Sequence, residues 1–371
     1  MAQKKSKKSL WYTAILIIAI LLSYFFKAVD NSDKHHDNGM NKHVFHSVSR
    51  GKNDTTRLIV MFYNLENFFD TIDDQHNHYD NEYTPNSKKH WTSKRYITKI
   101  KHLGQVFVNV DTAELPDLIG VCEIENRHVL EDLVNKTVLK GYDIVHYESK
   151  DIRGIDLGLL YDPSEFKVLE TRKIDIYYKP GHPARTREIV YIKGQTRNGQ
   201  ILHIFLNHWK SRLSRHKGNT SEYKRILAAK SLKKAVYSIL KKDPTANIII
   251  MGDFNDEPMN KSLAQVLGAK DKTQYSRELY NAMWPLDEQG KGTYFHDHKW
   301  MMFDNIILSG AFLSDNSRLV PEGNGHILMR DFMLKQNRNH EHYPWRTFSG
   351  SHYLGGYSDH LPVYIIIDVR Y

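Results

Sequence analysis

The sequence contains one cysteine in 371 residues, Cys122. No disulfide bond can therefore form within the chain. Cys122 lies in the apolar run Leu118–Cys122, which predicts a buried structural thiol rather than a reactive one. A single cysteine is compatible with any cellular compartment, so the location of the protein has to be judged from other features.

A spacing typical of a zinc site is also absent. The chain has 21 histidines, and several stand in pairs such as His76 and His78 or His340 and His342. Their spacings do not form a four-ligand pattern, so we interpret them as loop residues. The net charge is +9, and residues 1–30 carry nearly half of it. The remaining excess is compatible with an anionic substrate but does not by itself indicate nucleic-acid binding.

One long apolar run is present, at residues 9–26, and four lysines precede it in residues 1–8. As a helix the run would be about 27 Å long, close to the thickness of a bilayer core. The basic flank predicts a cytoplasmic N-terminus, so we expect a transmembrane signal-anchor with the remaining chain on the exported side, periplasmic or extracellular. The alternative is secretion after cleavage of a signal peptide, which the bulky residues at 23–27 disfavour.

Residues 27–56 are polar and predict a flexible linker. From residue 57 onward the pattern is globular, with no internal repeat, so we predict one catalytic domain over 57–371. Apolar strand-like runs alternate with helical periodicity, which predicts an α/β architecture with sheets in the core. Segments 70–92 and 321–357 are long and polar, and we expect irregular loops there.

The periodicity predicts helices at Ser93–Val110, after a capping Asn126, and at about 221–240. It predicts nine strands: Leu58–Tyr63, Leu118–Glu123, Asp143–His146, Leu157–Tyr161, Glu188–Ile192, Leu202–Asn207, Asn247–Met251, Asn305–Leu308 and Val363–Ile367.

The most informative run is Ile248–Pro258. It reads as a short apolar strand that ends in a glycine turn at Gly252 and carries Asp253 and Asn255 two residues apart. Because side chains alternate along a strand, we expect these two to point to the same side. Polar groups at the end of a buried strand are costly unless they meet a metal, a phosphate or each other. The run therefore predicts a metal-assisted hydrolytic site.

Polar groups adjoin apolar strands at five further places. These segments are Tyr63-Asn64-Leu65-Glu66-Asn67, Cys122-Glu123-Ile124-Glu125-Asn126, Asn207-His208-Trp209-Lys210-Ser211-Arg212, Phe303-Asp304-Asn305 and Ser358-Asp359-His360, with Gly252-Asp253-Phe254-Asn255 as the sixth in the set. In this order they resemble the endonuclease/exonuclease/phosphatase superfamily, which has the deoxyribonuclease I-like fold, and most of all its bacterial exported nuclease-like branch. The resemblance covers nearly all of 57–371. It implies a four-layer sandwich of two packed mixed β-sheets flanked by helices, with the site at one end of the sheets.

The resemblance also implies a metal centre. Glu123 would be the principal ligand of Mg²⁺ or Mn²⁺, with Asn64 beside it and Asp359 completing the shell. Carboxylate and amide oxygens suit such hard ions.

The remaining roles come from the same resemblance. Asp253 would orient or activate the attacking water, and Asn255 would bind the phosphoryl oxygens. His208 and His360 would flank the scissile phosphate, and Asp304 would hold His360 in one tautomer, as carboxylates behind catalytic imidazoles do. Lys210 and Arg212 are candidate phosphate contacts.

These observations predict a Mg²⁺- or Mn²⁺-dependent phosphodiester hydrolase, a nuclease with nucleic acid as substrate, acting as a membrane-anchored monomer. Two other functions remain open at this point. One is a sphingomyelinase-like lipid phosphodiesterase or an inositol-phosphate phosphatase of the same fold. The other is a catalytically inactive binding module, which the complete set of site residues disfavours. A basic or aromatic stripe typical of a duplex-binding groove is not evident, and this disfavours a DNA-repair enzyme.

Overall fold

Two mixed β-sheets form the centre of the protein, which we describe from a computed structural model. The structure describes residues 56–74, 77, 79–110, 114–179, 181–212, 220–271 and 279–370. The predictions for residues 1–8, for a transmembrane helix at 9–26 and for nearly all of the linker at 27–56 lie outside the described residues. Thr56, predicted as linker, begins the first strand. None of the helices within the described ranges is long and apolar enough to cross a membrane.

Sheet A has seven strands. Its central strand, Thr56–Phe68, runs parallel to Leu118–Ile124 and antiparallel to Val363–Val369. The other four strands are Asp143–Tyr147, Asp156–Tyr161, Leu319–Pro321 and His326–Ile327.

Sheet B also has seven strands. At its centre Ile201–His208 runs parallel to Asn247–Asp253, and the latter is antiparallel to Asp304–Ser309. The other four strands are Phe166–Ile174, Ile189–Thr196, Ala269–Lys270 and Leu279–Asn281.

Four two-stranded ribbons and several helices complete the described chain. The ribbons pair Tyr177–Lys179 with His182–Pro183, Tyr294–His296 with Lys299–Met301, Leu334–Gln336 with His342–Pro344, and Phe348–Ser349 with His352–Tyr353. The α-helices are Ser93–Phe107, Arg127–Asn135, Thr220–Leu240 and Trp284–Glu288. Shorter turns of 3₁₀ helix are Asp80–Tyr83, Gly310–Leu313 and Asp331–Met333, and Lys261–Leu267 is a π-helix.

Three apolar clusters show how the layers stack. Alternate residues of the central strand of sheet A, such as Val60 and Phe62, pack against sheet B, whereas Met61 and Tyr63 pack on the outer side against Ser93–Phe107 and Arg127–Asn135. The outer face of sheet B is covered by Thr220–Leu240 and Lys261–Leu267. Both faces of each sheet are therefore buried, which explains the continuous apolar runs of the central strands. The order helix, sheet, sheet, helix is the predicted four-layer α/β fold.

The local predictions hold with small boundary shifts. All nine predicted strands are present, and the helix predicted to reach Val110 ends at Phe107. Asn126 caps the next helix, because its Oδ1 accepts a hydrogen bond from the backbone N–H of Val129 at 3.0 Å. Cys122 is fully buried between the sheets, as predicted.

Two predictions about chain segments are wrong. Segment 321–357, predicted as irregular loop, contains two of the ribbons. Gly252, predicted as a turn, lies within the strand Asn247–Asp253, where a Cβ atom would stand 2.3 Å from the carbonyl oxygen of Asn207 on the neighbouring parallel strand. The glycine is thus required by the close approach of two strands.

Candidate active site

The carboxyl ends of the two parallel strand pairs carry most of the predicted site residues. Parallel neighbours end at the same edge of a sheet, and antiparallel neighbours begin there. Asp253 is therefore in register with His208 on one side and with Asp304 on the other. In sheet A, Asn64 pairs with Cys122, which precedes Glu123. Strand topology thus gathers residues from five distant parts of the chain.

The backbone at these strand ends is irregular. Pairing shifts register between Asn64 and Phe68 and again between Cys122 and Ile124. Glu66 and Glu123 lie in these bulges with φ of 52° and 59°. The left-handed region is unfavourable for residues other than glycine, and bulges redirect side chains at sheet edges. The strained backbone at Glu66 and Glu123 therefore turns their carboxylates away from the directions that regular strand alternation would give.

His360 is held in one orientation by a buried carboxylate. Its Nδ1 lies 2.6 Å from Oδ2 of Asp304, which also accepts a hydrogen bond from the hydroxyl of Thr293 at 2.6 Å. The other ring nitrogen, Nε2, lies 3.9 Å from Oδ2 of Asp253. Burial on its own lowers the pKa of His360, but the charges of Asp304 and Asp253 outweigh it and hold that pKa well above its usual value. The predicted pairing of Asp304 with His360 is thus present in the geometry.

His208 lies on the opposite side of Asp253. Its Nε2 is 3.6 Å from both Oδ2 of Asp253 and Oε1 of Glu123. Burial, followed by the positive charges of Arg187 and Arg153, holds the pKa of His208 well below its usual value. These surroundings favour the neutral form of His208, and its Nδ1 has no hydrogen-bond partner within the described part of the chain.

Asp253 lies at the centre of the cluster. Its Oδ2 accepts a hydrogen bond from the side-chain amide of Asn64 at 3.1 Å, and its Oδ1 accepts one from the backbone N–H of Asn255 at 2.9 Å. Burial raises the pKa of Asp253 to about 7. Burial thus raises the proton affinity of this carboxyl group in the metal-free site.

The geometry around Asn255 differs from the prediction. The strand ends at Asp253, and Asn255 lies beyond it with φ of 50°, so strand alternation does not set its direction. Its side-chain amide donates a hydrogen bond to the backbone oxygen of Trp209 at 3.1 Å. Asn255 thereby joins the ends of two parallel strands.

The two basic residues predicted as phosphate contacts lie in the same loop but in different surroundings. The guanidinium of Arg212 donates to the backbone oxygen of Asn255 and contacts the carboxylates of Asp256 and Glu257 and the amide oxygen of Asn260. Lys210 is half-buried, and burial, together with Arg187, lowers its pKa. Arg212 thus has several protein partners, whereas the Lys210 side chain interacts electrostatically with His208.

Asp359 is predicted as a metal ligand. In the structure it forms an ion pair with Arg346, in which Oδ2 of Asp359 lies 2.5 Å from Nη2 of Arg346. Nε of Arg346 lies 3.8 Å from Oε1 of Glu66. Glu66 also accepts hydrogen bonds from the backbone N–H groups of Thr347 and Phe348.

Sequence reasoning did not identify three buried charges around the cluster. Lys99 is almost fully buried and donates to Thr347 and Tyr357. Arg187 donates to the backbone oxygens of His208 and Trp209 and pairs with Asp151 at 2.5 Å. Glu125 is also buried. The one signal available in the sequence was Lys99 among the apolar residues of a predicted helix. It did not reveal the partners, Thr347 and Tyr357.

Asp156, at the start of the strand Asp156–Tyr161, supports a neighbouring loop. Its carboxylate accepts from Nε2 of His146 at 2.9 Å and from the backbone N–H of Ser149 at 2.8 Å. The contacts indicate a structural role at the start of its strand.

The donor set fits a divalent cation. Within the described ranges no Lys or Arg lies at ion-pair distance from Glu123 or Asp253. Nε2 of His360 is 3.9 Å from Asp253, whereas Asp359 and Glu66 both face Arg346. Asp253, Asp304 and His360 also each have one potential ligand atom within 4.8 Å of the others. Two clustered carboxylates beside a neutral imidazole leave negative charge that a bound cation would balance.

The comparisons with known proteins agree with this geometry. The sequence profile described as the Endonuclease/Exonuclease/phosphatase family matches residues 59–369. Comparison with curated protein sequences gave no match.

Solved structures of similar fold include three informative ones. An endonuclease/exonuclease/phosphatase family protein from Bacteroides thetaiotaomicron is 16% identical, with a TM-score of 0.52 over 85% of this chain and 99% of that chain. A mannosyl-6-phosphatase of the same organism is 16% identical, with a TM-score of 0.51 over 84% and 99%. D. rerio TDP2 complexed with a single-strand DNA product is 15% identical, with a TM-score of 0.51 over 84% and 99%.

At such identities the structural likeness establishes the fold alone. The profile match, however, spans nearly the whole described domain and includes every strand end that carries a site residue. The chain therefore belongs to the endonuclease/exonuclease/phosphatase family.

Proposed function

We propose that the protein is a Mg²⁺- or Mn²⁺-dependent phosphodiesterase that cleaves nucleic acid. Membership of the family supports hydrolysis of a phosphate ester. The fold shared with TDP2 bound to a single-strand DNA product supports nucleic acid as the substrate, whereas the fold shared with a mannosyl-6-phosphatase is a reminder that substrates vary within one fold.

The observation that carries the proposal is the position of Asp253 between two histidines whose pKa values are shifted in opposite directions. Asp253, with its pKa raised to about 7, accepts a proton from water at neutral pH. His360, held protonated by Asp304, donates a hydrogen bond to a phosphoryl or leaving oxygen. The separation of pKa values within one cluster assigns the base and the acid.

Glu123 and Asn64 are the residues that would hold the cation, which leaves Asp253 as the base. When bound, a divalent ion supplies Lewis-acid stabilisation of the charge on the phosphoryl oxygens, which is worth several kcal/mol. Asn64 and the backbone N–H of Asn255 fix the carboxylate of Asp253 from two sides, so its orientation does not depend on the substrate.

The test is a substrate panel for the full chain in detergent, with Mg²⁺ or Mn²⁺ and with a chelator. The panel contains single-stranded DNA, RNA, a generic phosphodiester, sphingomyelin and inositol phosphates, with the Asp253→Asn variant as control. We expect cation-dependent cleavage of nucleic acid that the variant lacks. Hydrolysis confined to sphingomyelin or inositol phosphates would replace the nuclease proposal, and no hydrolysis of any substrate would favour a binding module.

We also propose that the catalytic domain acts on the exported side of a membrane, anchored by residues 9–26. The support is the lysine-flanked apolar run described above. Protease added to spheroplasts should digest the domain and spare a tag at the N-terminus. A protected domain would reverse the topology, and a soluble domain beginning near residue 28 would identify a cleaved signal peptide.

A further inference from the structure

Four charged side chains form a group beside the hydrolytic residues, and the proposed chemistry does not use them. They are Glu66, Lys99, Arg346 and Asp359, which we call the charged quartet. Arg346 pairs with Asp359 at 2.5 Å and lies 3.8 Å from Glu66. Lys99 interacts electrostatically with both carboxylates. Two carboxylates thus face two cations, so the quartet as a whole presents no net negative charge to an approaching anion.

Three members of the quartet hold the fourth in place. Glu66 binds the backbone N–H groups of Thr347 and Phe348, directly after Arg346 in the chain. Lys99 binds the hydroxyl of Thr347 at 2.7 Å. Glu66 and Lys99 are almost completely buried, so their contacts fix the backbone next to Arg346. The third member, Asp359, holds the guanidinium itself.

Arg346 is the member that reaches solvent. Its side chain is 35% exposed, compared with 20% for Asp359 and 6% for Glu66. Nε of Arg346 is itself buried and faces Oε1 of Glu66 at 3.8 Å, so a ligand would be met by the terminal amino groups of the guanidinium. A guanidinium carries five N–H donors, so the contact with Asp359 leaves donors available for a ligand.

The quartet adjoins the hydrolytic cluster directly. Asp359 precedes His360 in the chain, and the ring of Tyr294, whose hydroxyl interacts with Arg346, lies 4.9 Å from the ring of His360. The hydroxyl of Ser358 donates to the backbone oxygen of Asn64 at 2.6 Å, which ties this segment to the strand that carries Glu66. An anion bound beside His360 and Tyr294 would therefore be close to the guanidinium.

We propose that Arg346 binds the phosphate oxygens of the substrate, and that Asp359 is its positioning residue rather than a ligand of the metal. The proposal rests on the proposed phosphoesterase function and adds a substrate-recognition residue to it. Arginine matches phosphate geometry with parallel N–H donors, and an ion pair on one edge of the guanidinium orients the other edge.

The experiment measures binding rather than turnover. Inorganic phosphate is titrated into the full chain by calorimetry with saturating Mg²⁺, for the wild type and for Arg346→Gln, Arg346→Lys and Asp359→Asn. Arg338→Gln, at an exposed arginine of the same segment, is the matched control. Loss of a charge-assisted contact should weaken phosphate binding by about 10–100-fold in Arg346→Gln. Arg346→Lys should fall between this variant and the wild type, and Arg338→Gln should bind like the wild type.

A second titration separates the role of Asp359 from that of a metal ligand. Mn²⁺ affinity, measured by electron paramagnetic resonance, should be the same in Asp359→Asn as in the wild type, while phosphate affinity falls. A fall in Mn²⁺ affinity in that variant would assign Asp359 to the metal and overturn its positioning role.

Unchanged phosphate affinity in folded Arg346→Gln, or in Arg346→Lys if the first variant does not fold, would overturn the assignment of Arg346. Neither titration depends on catalysis. A chain that binds phosphate through Arg346 yet cleaves no phosphodiester would refute the proposed function and leave this inference standing.

Discussion

His208 and His360 occupy opposite sides of Asp253, and both are almost completely buried. Their surroundings nevertheless have opposite effects. On the His208 side burial and then the positive charges of Arg187 and Arg153 lower the pKa of the imidazole. On the His360 side Asp304 supplies a direct hydrogen bond, and the pKa of His360 is high.

The difference shows that burial does not decide the charge of a histidine in this site. Desolvation disfavours the imidazolium at both positions, so the fixed neighbours determine the outcome. One side of Asp253 thereby receives a proton donor and the other a neutral group next to Glu123. The predictions below test this asymmetry, beginning with the largest expected effect.

The His208 side depends on the carboxylate of Glu123. Glu123→Gln removes one negative charge with little change in size, and with it the strongest ligand available to a cation there. A loss of about 4 kcal/mol of transition-state stabilisation would lower kcat/KM by roughly 10³-fold. Steady-state kinetics and Mn²⁺ affinity measure the effect, with circular dichroism as the control for folding. Wild-type cation-dependent activity in the variant would refute the assignment.

The His360 side depends on Asp304. Asp304→Asn removes the charge that keeps His360 protonated and should lower kcat by about 10²–10³-fold. Because the two residues act as one unit, the double variant with His360→Ala should be little slower than His360→Ala alone. Fully additive losses in this cycle would show that Asp304 does not act through His360.

The backbone beneath His208 depends on Arg187. Arg187→Lys keeps the charge but cannot make all three contacts with Asp151, His208 and Trp209. We expect the free energy of unfolding to fall by about 1–3 kcal/mol in urea titrations. Arg338→Lys, at an exposed arginine, is the control and should be neutral. Equal stability of the two variants would contradict a supporting role for Arg187.

The asymmetry itself should appear in NMR titrations of the metal-free protein. His360 should remain protonated well above pH 6.5, and His208 should remain neutral well below it. Simultaneous titration of the two rings near pH 6.5 would contradict the asymmetry.

The same shifts affect stability, with opposite signs. The folded-state pKa of His360 is raised, so its stabilisation is full below pH 6.5 and is lost as the pH rises through the folded value. The folded-state pKa of His208 is lowered, so its neutral form opposes folding as the pH falls below 6.5. Thermal unfolding with a chelator should therefore show that His360→Gln costs most at acidic pH, where His208→Gln is favourable.

Sequence patterns predicted the strands well where both faces of a strand are buried, because such runs are continuously apolar. They missed Phe166–Ile174, an edge strand of sheet B whose Lys167, Glu170 and Arg172 are exposed or half-exposed. An edge strand with one solvated face lacks the apolar run on which the prediction depends.

The site was predictable as a set of residue types but not as a set of contacts. Asp304 and His360 follow from the motif, and their pairing is present. The contact of Arg346 with Asp359 and that of Glu66 with Thr347 depend on how two loops meet. Glu66 and Thr347 are 281 residues apart in the chain, and no local pattern encodes such a distance.

The pairing of the strand Val363–Val369 with Thr56–Phe68 has a consequence for biosynthesis. Among the described strands, Thr56–Phe68 is synthesised first and Val363–Val369 last. The two pair directly, from Thr56 opposite Val369 to Phe62 opposite Val363. Contacts between such distant residues form late, since a long loop has to close. His360 lies three residues before the start of that strand. The cluster around Asp253 can therefore be complete only after this strand has been made and inserted between its neighbours.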